Sequence, residues 1–192
     1  MSGPVASPLR VGDCCANADG SSCVIVANEE KAKALSKKPV WILGLGAASA
    51  SVNRSGRDVF SGLNVAEQAG KMAYEMAGVT PKDIDVAEVH DCFTIAEIIA
   101  TEDLGFFPAG AGWEAAEEGQ TARNGSRPIN TSGGLKSKGH PVGASGAGQV
   151  IEIWKQLRGV ASARQVPGAD LGLTHNVGGT GQTCVVHIFE RR

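Results

Sequence analysis

Short apolar runs alternate along the chain with segments whose apolar residues recur at helical spacing. The β-branched run 21–27 predicts a strand. Asn28 is a suitable helix cap, and Glu29 and Glu30 place acidic side chains in the first turn. A helix is therefore expected from this point through Ser36.

The same order of strand and helix follows in the next part of the chain. The apolar run Val40–Leu45 predicts a strand, and a glycine- and serine-containing loop is expected up to about Leu63. An amphipathic helix should follow, with Asn64 as its cap and Gly78 at its end. Its apolar positions are Val65, Ala69, Met72, Ala73 and Met76.

The second half of the chain extends this alternation. Thr80 and Pro81 predict a short helical turn before the strand Val86–His90. A helix is expected directly after that strand, ending near Gly105. The remaining predicted elements are a long surface loop over 106–130 with local helix around Trp113–Glu118, a helix from Gly143, and two closing strands, Leu171–Val177 and Thr183–Phe189.

This order of elements determines the expected fold class. Strands that alternate with helices, followed by a pair of adjacent strands, are typical of α/β folds. In such folds, helices connect parallel strands of the sheet, and a terminal pair of adjacent strands adds antiparallel pairing to it. We therefore predict an α/β domain in which a mixed sheet carries helices on both faces.

Charge and composition narrow the classes of function. The 192 residues carry 18 basic and 20 acidic side chains, a formal net charge of -2. Their interspersed signs do not form the basic surface that nucleic acid or an anionic membrane requires. No apolar run approaches the roughly 20 residues of a spanning helix, and residues 1–18 lack the pattern of a targeting leader. A cytoplasmic protein is expected.

Cysteine spacing argues against a metal site and against a disulfide framework. The chain has an odd number of cysteines and no CxxC pair. Free thiols are therefore expected, and a metal ligand set is not. The five cysteines are Cys14, Cys15, Cys23, Cys92 and Cys184.

The first segment with candidate chemistry runs from His90 to Phe93, where a strand is predicted to meet a helix. A thiol at a helix amino end experiences the positive end of the helix dipole, and a neighbouring imidazole further favours its thiolate. Cys92 is thus a candidate proton carrier or nucleophile. The alternative is that Cys92 is a small buried apolar residue and His90 a core histidine.

The second segment, 130–146, combines five glycines with His140 and Pro141. The glycines permit close approach of the backbone to a ligand, and Pro141 favours a helix start directly after the histidine. His140 is a candidate general base. The alternative is a tight glycine turn with an incidental histidine. Lys136 and Lys138 can reach a phosphate, although loop lysines are more often only solvated.

The third segment, 173–181, is a glycine-rich turn between the two closing strands. Backbone N–H groups in such a turn can point at a developing oxyanion. On its own the pattern is equally typical of an ordinary hairpin turn.

Three sequence strings together resemble the thiolase superfamily: HDCF at 90–93, NTSGGLKSKGHPVGASG at 130–146 and HNVGG at 175–179. They are most similar to the sterol-carrier-protein, or lipid-transfer, type of thiolase, in which HDCF replaces the Asn-Glu-Ala-Phe of other members. The resemblance implies two similar α/β halves packed into a layered unit. Residues 1–37 would be the end of the first half, and residues 38–192 the second half.

The resemblance also implies a role for each matching residue. His140 would activate a nucleophilic cysteine, His90 would stabilise the enolate oxygen through water, and Cys92 would carry the proton at the substrate's α-carbon. Asn176 stands where other thiolases have the cysteine of a Cys-x-Gly motif, and Gly178 would give a backbone N–H to an oxyanion hole.

The activity implied is thiolysis of 3-oxoacyl-CoA, or the reverse Claisen condensation of acyl-CoA, with coenzyme A thioester as substrate and no metal or redox cofactor. The nucleophilic cysteine would belong to an N-terminal half, in the same polypeptide or in a separate subunit. The expected partners are acyl-CoA, that half or a full-length protomer, and further copies in a homo- or hetero-oligomer. An OB-fold acyl-CoA-binding protein is a further candidate partner, whereas nucleic acid and membrane are not.

Two other functions stay open on the sequence alone. Some lipid-transfer-type relatives cleave CoA-linked side chains by retro-aldol chemistry, so a lyase is the second hypothesis for an enzymatic function. A non-catalytic assembly subunit of thiolase-like fold is the third. An autonomous cysteine hydrolase using Cys92 and His140 is disfavoured, because no orienting group can be named for it.

Overall fold

The computed structural model describes residues 2–51 and 62–192. The strands within these ranges are β1 (Pro4–Ala6), β2 (Leu9–Arg10), β3 (Val40–Ser49), β4 (Val86–Glu88), β5 (Leu171–Gly178) and β6 (Thr183–Arg191). The α-helices of the described residues are α1 (Glu29–Leu35), α2 (Asn64–Ala77), α3 (Thr94–Asp103), α4 (Gly112–Glu117), α5 (Gly134–Lys138) and α6 (Ser145–Arg158). Within these ranges no helix is both long and apolar enough to cross a membrane.

A four-stranded mixed sheet forms the centre of the fold, in the order β3-β6-β5-β4. β6 pairs antiparallel with both β3 and β5, whereas β4 pairs parallel with β5. The parallel pair places the carboxyl ends of β4 and β5 at the same edge of the sheet. That edge carries the HDCF and HNVGG segments.

Helices cover both faces of this sheet, as predicted. On one face α2 packs so closely on β3 that a Cβ at Gly46 would collide with the carbonyl oxygen of Ala69. On the other face α6 contributes Ile153 and Leu157 to a core shared with Val86 and Phe189. The α/β class and the mixed sheet are therefore confirmed.

Most predicted elements are present, with ends that differ by one or two residues, except that β3 continues four residues beyond the predicted end at Leu45. Asn28 caps α1, accepting a hydrogen bond from the Lys31 N–H at 3.0 Å. Gly78 ends α2 in the left-handed conformation with φ 68°. Asn64 is the first residue of α2 rather than its cap, because Leu63 takes the extended conformation just before it. The short helix α5 was not predicted.

The strand predicted over 21–27 is wrong. These residues lie outside any strand, and the side chains of Ile25 and Val26 are 88% and 72% exposed. A β-branched run becomes a strand only where a neighbouring strand supplies hydrogen bonds and a packed face. The loop predicted before Leu63 falls largely on residues 52–61, outside the described ranges.

Candidate active site

His90 and Asp91 lie just beyond the end of β4, at the edge of the sheet where β5 also ends. Both are buried, with 8% and 2% of their surface exposed. The Asp91 carboxylate accepts hydrogen bonds from the backbone N–H groups of Leu135, at 2.7 Å, and Lys136, at 3.3 Å. A Cβ at Gly134 would collide with this carboxylate. Asp91 and glycine 134 thus join the second segment to the first.

This joint brings His90 and His140 together. Their imidazole rings meet edge to face, with centroids 4.9 Å apart and an interplanar angle of 81°. Burial, together with the smaller effect of the charge of His140, lowers the pKa of His90 to about 4. His90 is therefore a neutral imidazole at physiological pH.

The hydrogen bonds of Ser145 determine the tautomer of His140. The Ser145 hydroxyl lies 3.0 Å from the carbonyl oxygen of Pro141, which can only accept, so the hydroxyl donates there. The same oxygen lies 2.7 Å from Nδ1 of His140 and must therefore accept that ring's N–H. We assign the proton of neutral His140 to Nδ1 on this basis. Its Nε2 keeps a free lone pair, as a general base requires.

His90 has the opposite arrangement. The side-chain nitrogen of Asn176, which can only donate, lies 3.4 Å from Nδ1 of His90 and 3.2 Å from Oε1 of Gln149. Nδ1 of His90 is thus the acceptor, and its proton is on Nε2. A neutral ring with an Nε2–H is suited to donate to an oxyanion or to a water molecule.

His175 supports the same turn from β5. It is fully buried, and burial, together with the smaller effect of the charge of His90, lowers its pKa to about 3. Its Nδ1 accepts from the backbone N–H of His90 at 3.4 Å, and its carbonyl accepts from Gln149 at 3.1 Å. Its Nε2 has no hydrogen-bond partner among the described residues.

Cys92 precedes α3 by two residues, and its thiol is half-buried. Burial raises the pKa of Cys92, and Cys15 raises it further. This direction is opposite to the lowering expected from a helix end and an imidazole, because loss of solvation has the largest effect on this thiol. Cys92 is accordingly a protonated thiol at neutral pH, which makes it a proton donor at rest.

The N-terminal segment 14–16 lies along the HDCF turn and contacts the backbone of both Cys92 and His140. The backbone N–H of Cys15 donates to the Cys92 carbonyl at 2.9 Å, and that of His140 donates to the Ala16 carbonyl at 2.8 Å. Cys14 and Phe93 form an antiparallel bridge. The segment 14–16 therefore belongs to the site, although nothing in its sequence pattern indicated this.

The two loop lysines are held by the protein and are not merely solvated. Nζ of Lys136 donates to two backbone carbonyls within 12–14, both at 2.5 Å. Nζ of Lys138 donates to Ser132 Oγ at 2.6 Å and lies 3.7 Å from the Glu88 carboxylate. The expectation of simple solvation is wrong for both, because each fixes the position of the loop.

Gly178 is the last residue of β5, two positions after Asn176, and pairs with Thr183 of β6. The sheet register thus brings Asn176 against His90, while Gly178 lies at the start of the β5–β6 turn. In the described ranges no group of three or more His, Cys, Asp or Glu side chains is arranged to hold a metal ion.

Several residues of this site were missed by sequence reasoning. Ser145, Gln149 and His175 orient the imidazoles. Ser145 and His175 lie within the strings at 130–146 and 175–179 but were assigned no role, and a glutamine in a helix carries no pattern of its own. Glu88 had a recognisable signal, since it is a carboxylate inside an otherwise apolar strand.

Comparison with known proteins finds relatives that match almost the whole of this chain. A family model described as thiolase C-terminal domain-like matches residues 46–191. An acetyl-CoA acetyltransferase of Methanothermobacter thermautotrophicus is 46% identical over 187 residues, covering 97% of this chain and 49% of the relative. Sterol carrier protein 2 of Oryctolagus cuniculus is 40% identical over 192 residues, covering 97% of this chain and 35% of the relative.

A solved structure shows the same architecture. The Ltp2-ChsH2(DUF35) aldolase matches 98% of this chain with a TM-score of 0.83 at 25% identity, and the match covers 49% of that chain. The present chain spans about half, or less, of the length of these relatives. The resemblance to the thiolase superfamily is confirmed, and the chain belongs to the thiolase C-terminal domain-like family.

Proposed function

We propose that this chain supplies the acid/base half of an acyl-CoA acyltransferase site, which carries out thiolysis of 3-oxoacyl-CoA or the reverse Claisen condensation. The contact between His90 and His140 supports this most strongly. One ring presents an N–H and the other a lone pair, side by side. Carbon–carbon bond formation next to a thioester needs both, because an enolate must be stabilised and a thiol must be deprotonated.

Each group has a role in this proposal. His140 takes the proton of a nucleophilic cysteine through Nε2, and His90 donates its Nε2–H, directly or through water, toward the thioester oxygen. Cys92 carries the proton at the α-carbon, which its protonated resting state suits. Gly178 gives a backbone N–H to a second oxyanion. Oxyanion donors of this kind each lower a barrier by roughly 3 to 4 kcal/mol.

The nucleophilic cysteine lies outside these 192 residues in this proposal. It comes from an N-terminal thiolase half, in a longer polypeptide or in a second subunit, which accords with relatives about twice as long. The substrate is a coenzyme A thioester, and the chemistry itself calls for no metal or redox cofactor. We further propose a cytoplasmic oligomer as the working enzyme.

Reconstitution tests the proposal. The purified chain is mixed with an N-terminal thiolase half, and loss of acetoacetyl-CoA in the presence of CoA is followed. We expect turnover only in the mixture, with losses of about 100-fold or more for His140→Ala and Cys92→Ala. The matched controls are His187→Gln, which alters a histidine stacked on Phe189, and Cys23→Ser, which alters an exposed thiol. Turnover by the chain alone would mean that the nucleophile is misassigned.

A retro-aldol lyase is the second candidate, and the structural similarity to an aldolase favours it. A lyase needs a base and an oxyanion donor but no acylated cysteine. The same mixture, given a CoA thioester with a β-hydroxy side chain, separates the two activities. Cleavage of that substrate without thiolysis of acetoacetyl-CoA would replace the acyltransferase proposal.

A further inference from the structure

Glu88 is a buried carboxylate directly beneath the loop that carries His140. It is the last residue of β4, and 1% of its surface is exposed. Oε1 accepts from the backbone N–H of Ser132 at 3.0 Å, and Oε2 accepts from the Ser132 hydroxyl at 2.5 Å. Nζ of Lys138 lies 3.7 Å from Oε2. Glu88 therefore contacts this loop at both ends of the segment 132–138.

The charged form of Glu88 is costly to keep in this position. Burial raises the pKa of Glu88 to about 7, even though Lys138 and the two Ser132 hydrogen bonds act to lower it. Because the pKa of Glu88 is raised from 4.5 to about 7, the stability that the protonated carboxyl contributes is lost as the pH rises from about 4.5 to 7. Stability alone would be served as well by an amide in the same space.

The other charged groups near Glu88 belong to α6 and to the turn that follows it. Glu152 of α6 is a like charge that raises the pKa of Glu88. Arg164 pairs with Glu152 through bonds of 2.9 and 3.1 Å, and Glu88 acts on Arg164 only through its charge. Lys138 is thus the only cation within ion-pair distance of Glu88 among the described residues.

We propose that Glu88 is a positioning residue whose ionised carboxylate fixes the segment 132–138 and thereby the place of His140. Lys138 is the last residue of α5, and His140 follows two residues later. Loss of the Glu88 charge removes the ion pair with Lys138 and weakens the hold on Ser132. The base is then presented less rigidly, although no catalytic group has changed.

Proton–nitrogen NMR of the purified chain between pH 5.5 and 8.5 tests this without any need for turnover. An amide that donates to a carboxylate changes its chemical shift when that carboxylate is protonated. We expect the Ser132 amide to follow a transition centred near pH 7 and this transition to be absent in Glu88→Gln. Asp103→Asn is the matched control, because that carboxylate is also partly buried but bonds to Leu63 instead. Persistence of the transition in Glu88→Gln would overturn the proposal.

Lys138→Met gives an independent test if Glu88→Gln fails to fold. Lys138 lowers the pKa of Glu88, and its side chain is 39% exposed, so its replacement disturbs packing little. The Ser132 transition should move to higher pH by about 0.5 or more when the cation is removed. An unchanged midpoint would show that the two groups do not interact.

The catalytic consequence rests on the proposed function and has its own readout. In the reconstituted enzyme, Glu88→Gln should lower kcat about tenfold at pH 8 while KM changes less than twofold, since the substrate contacts are intact. In the wild-type enzyme, ionisation of Glu88 should contribute to the rise of kcat with pH on the acid side of the profile. This contribution should be absent in the variant. An unaltered kcat and pH profile, with the NMR transition lost as expected, would refute the catalytic part alone. Absence of all turnover with the wild-type chain would count against the proposed function instead.

Discussion

The hydroxyl of Ser145 lies 2.7 Å from Nδ1 of His140 and donates its own proton to the Pro141 carbonyl. This one serine therefore fixes which nitrogen of the proposed base is protonated. Loop backbone alone would leave the ring free to adopt either tautomer.

Replacement of Ser145 by alanine should lower kcat/KM of the reconstituted enzyme about tenfold, because a hydrogen bond of about 1 to 1.5 kcal/mol no longer orients the ring. Nitrogen NMR of the His140 ring should show that the Nδ1–H form predominates in the wild-type chain and becomes a mixture in the variant. Ser162→Ala, in the turn after α6, is the control. An unchanged tautomer ratio would contradict the assignment.

His90 should make the fold weaken as pH falls. Its pKa is about 4 in the fold and 6.5 ordinarily, so between these values the unfolded chain binds the additional proton. The stability contributed by neutral His90 is complete above pH 6.5 and is lost progressively down to pH 4. The slope for one group is at most about 1.4 kcal/mol per pH unit.

The informative quantity is the difference between the wild-type chain and His90→Asn, since Glu88 has a raised pKa and contributes a slope of opposite sign. Urea unfolding at several pH values from 4 to 7 gives this difference. We expect the variant to lose less stability on acidification. If the free energies of unfolding of the two proteins changed in parallel with pH, His90 would be protonated as easily in the fold as in the unfolded chain.

The cysteines should differ in reactivity according to their burial. Cys23 is exposed, whereas burial raises the pKa of Cys92 and raises that of Cys184 to about 12. Iodoacetamide at pH 7.5 should therefore modify Cys23 first, Cys92 more slowly and Cys184 last, as followed by peptide mass spectrometry. Faster alkylation of Cys92 than of Cys23 would mean that its thiolate is stabilised after all.

The contact between α2 and β3 should not tolerate a side chain. Gly46→Ala places a methyl group against the carbonyl oxygen of Ala69 and should destabilise the fold by about 1 to 3 kcal/mol. Gly148→Ala, in α6 with open space around the new methyl group, should stabilise it by about 0.5 to 1 kcal/mol. Equal effects on denaturant midpoints would contradict the close packing of this face.

The sequence was sufficient to predict the alternation of elements because apolar periodicity reports directly on burial. Val40–Leu45 and the closing strands all pair in the sheet, and α2 and α6 cover its two faces. The prediction of a strand over 21–27 was wrong because strand formation also depends on a neighbouring strand, which a local pattern does not specify.

The candidate site was predictable only where residues stood in a distinctive string. His90, Cys92, His140 and Asn176 were found in this way. Gln149 and Glu88 lie outside these strings and were not found. Ser145 lies in the string at 130–146 but was given no role, because its importance, like theirs, lies in what it contacts after folding. The direction of the Cys92 pKa was likewise missed, because the sequence does not give the depth at which a thiol is buried.

The central claim is that His140 activates a cysteine that lies outside these residues, and acylation measures this directly. An N-terminal thiolase half is mixed with the chain and acetyl-CoA, and intact-protein and peptide mass spectrometry record the site and rate of acetyl transfer. The account predicts an acetyl group on a cysteine of the N-terminal half, formed at least about 100-fold more slowly with His140→Ala. An acetyl group on Cys92 or another cysteine of this chain, or equal rates with and without His140, would contradict it.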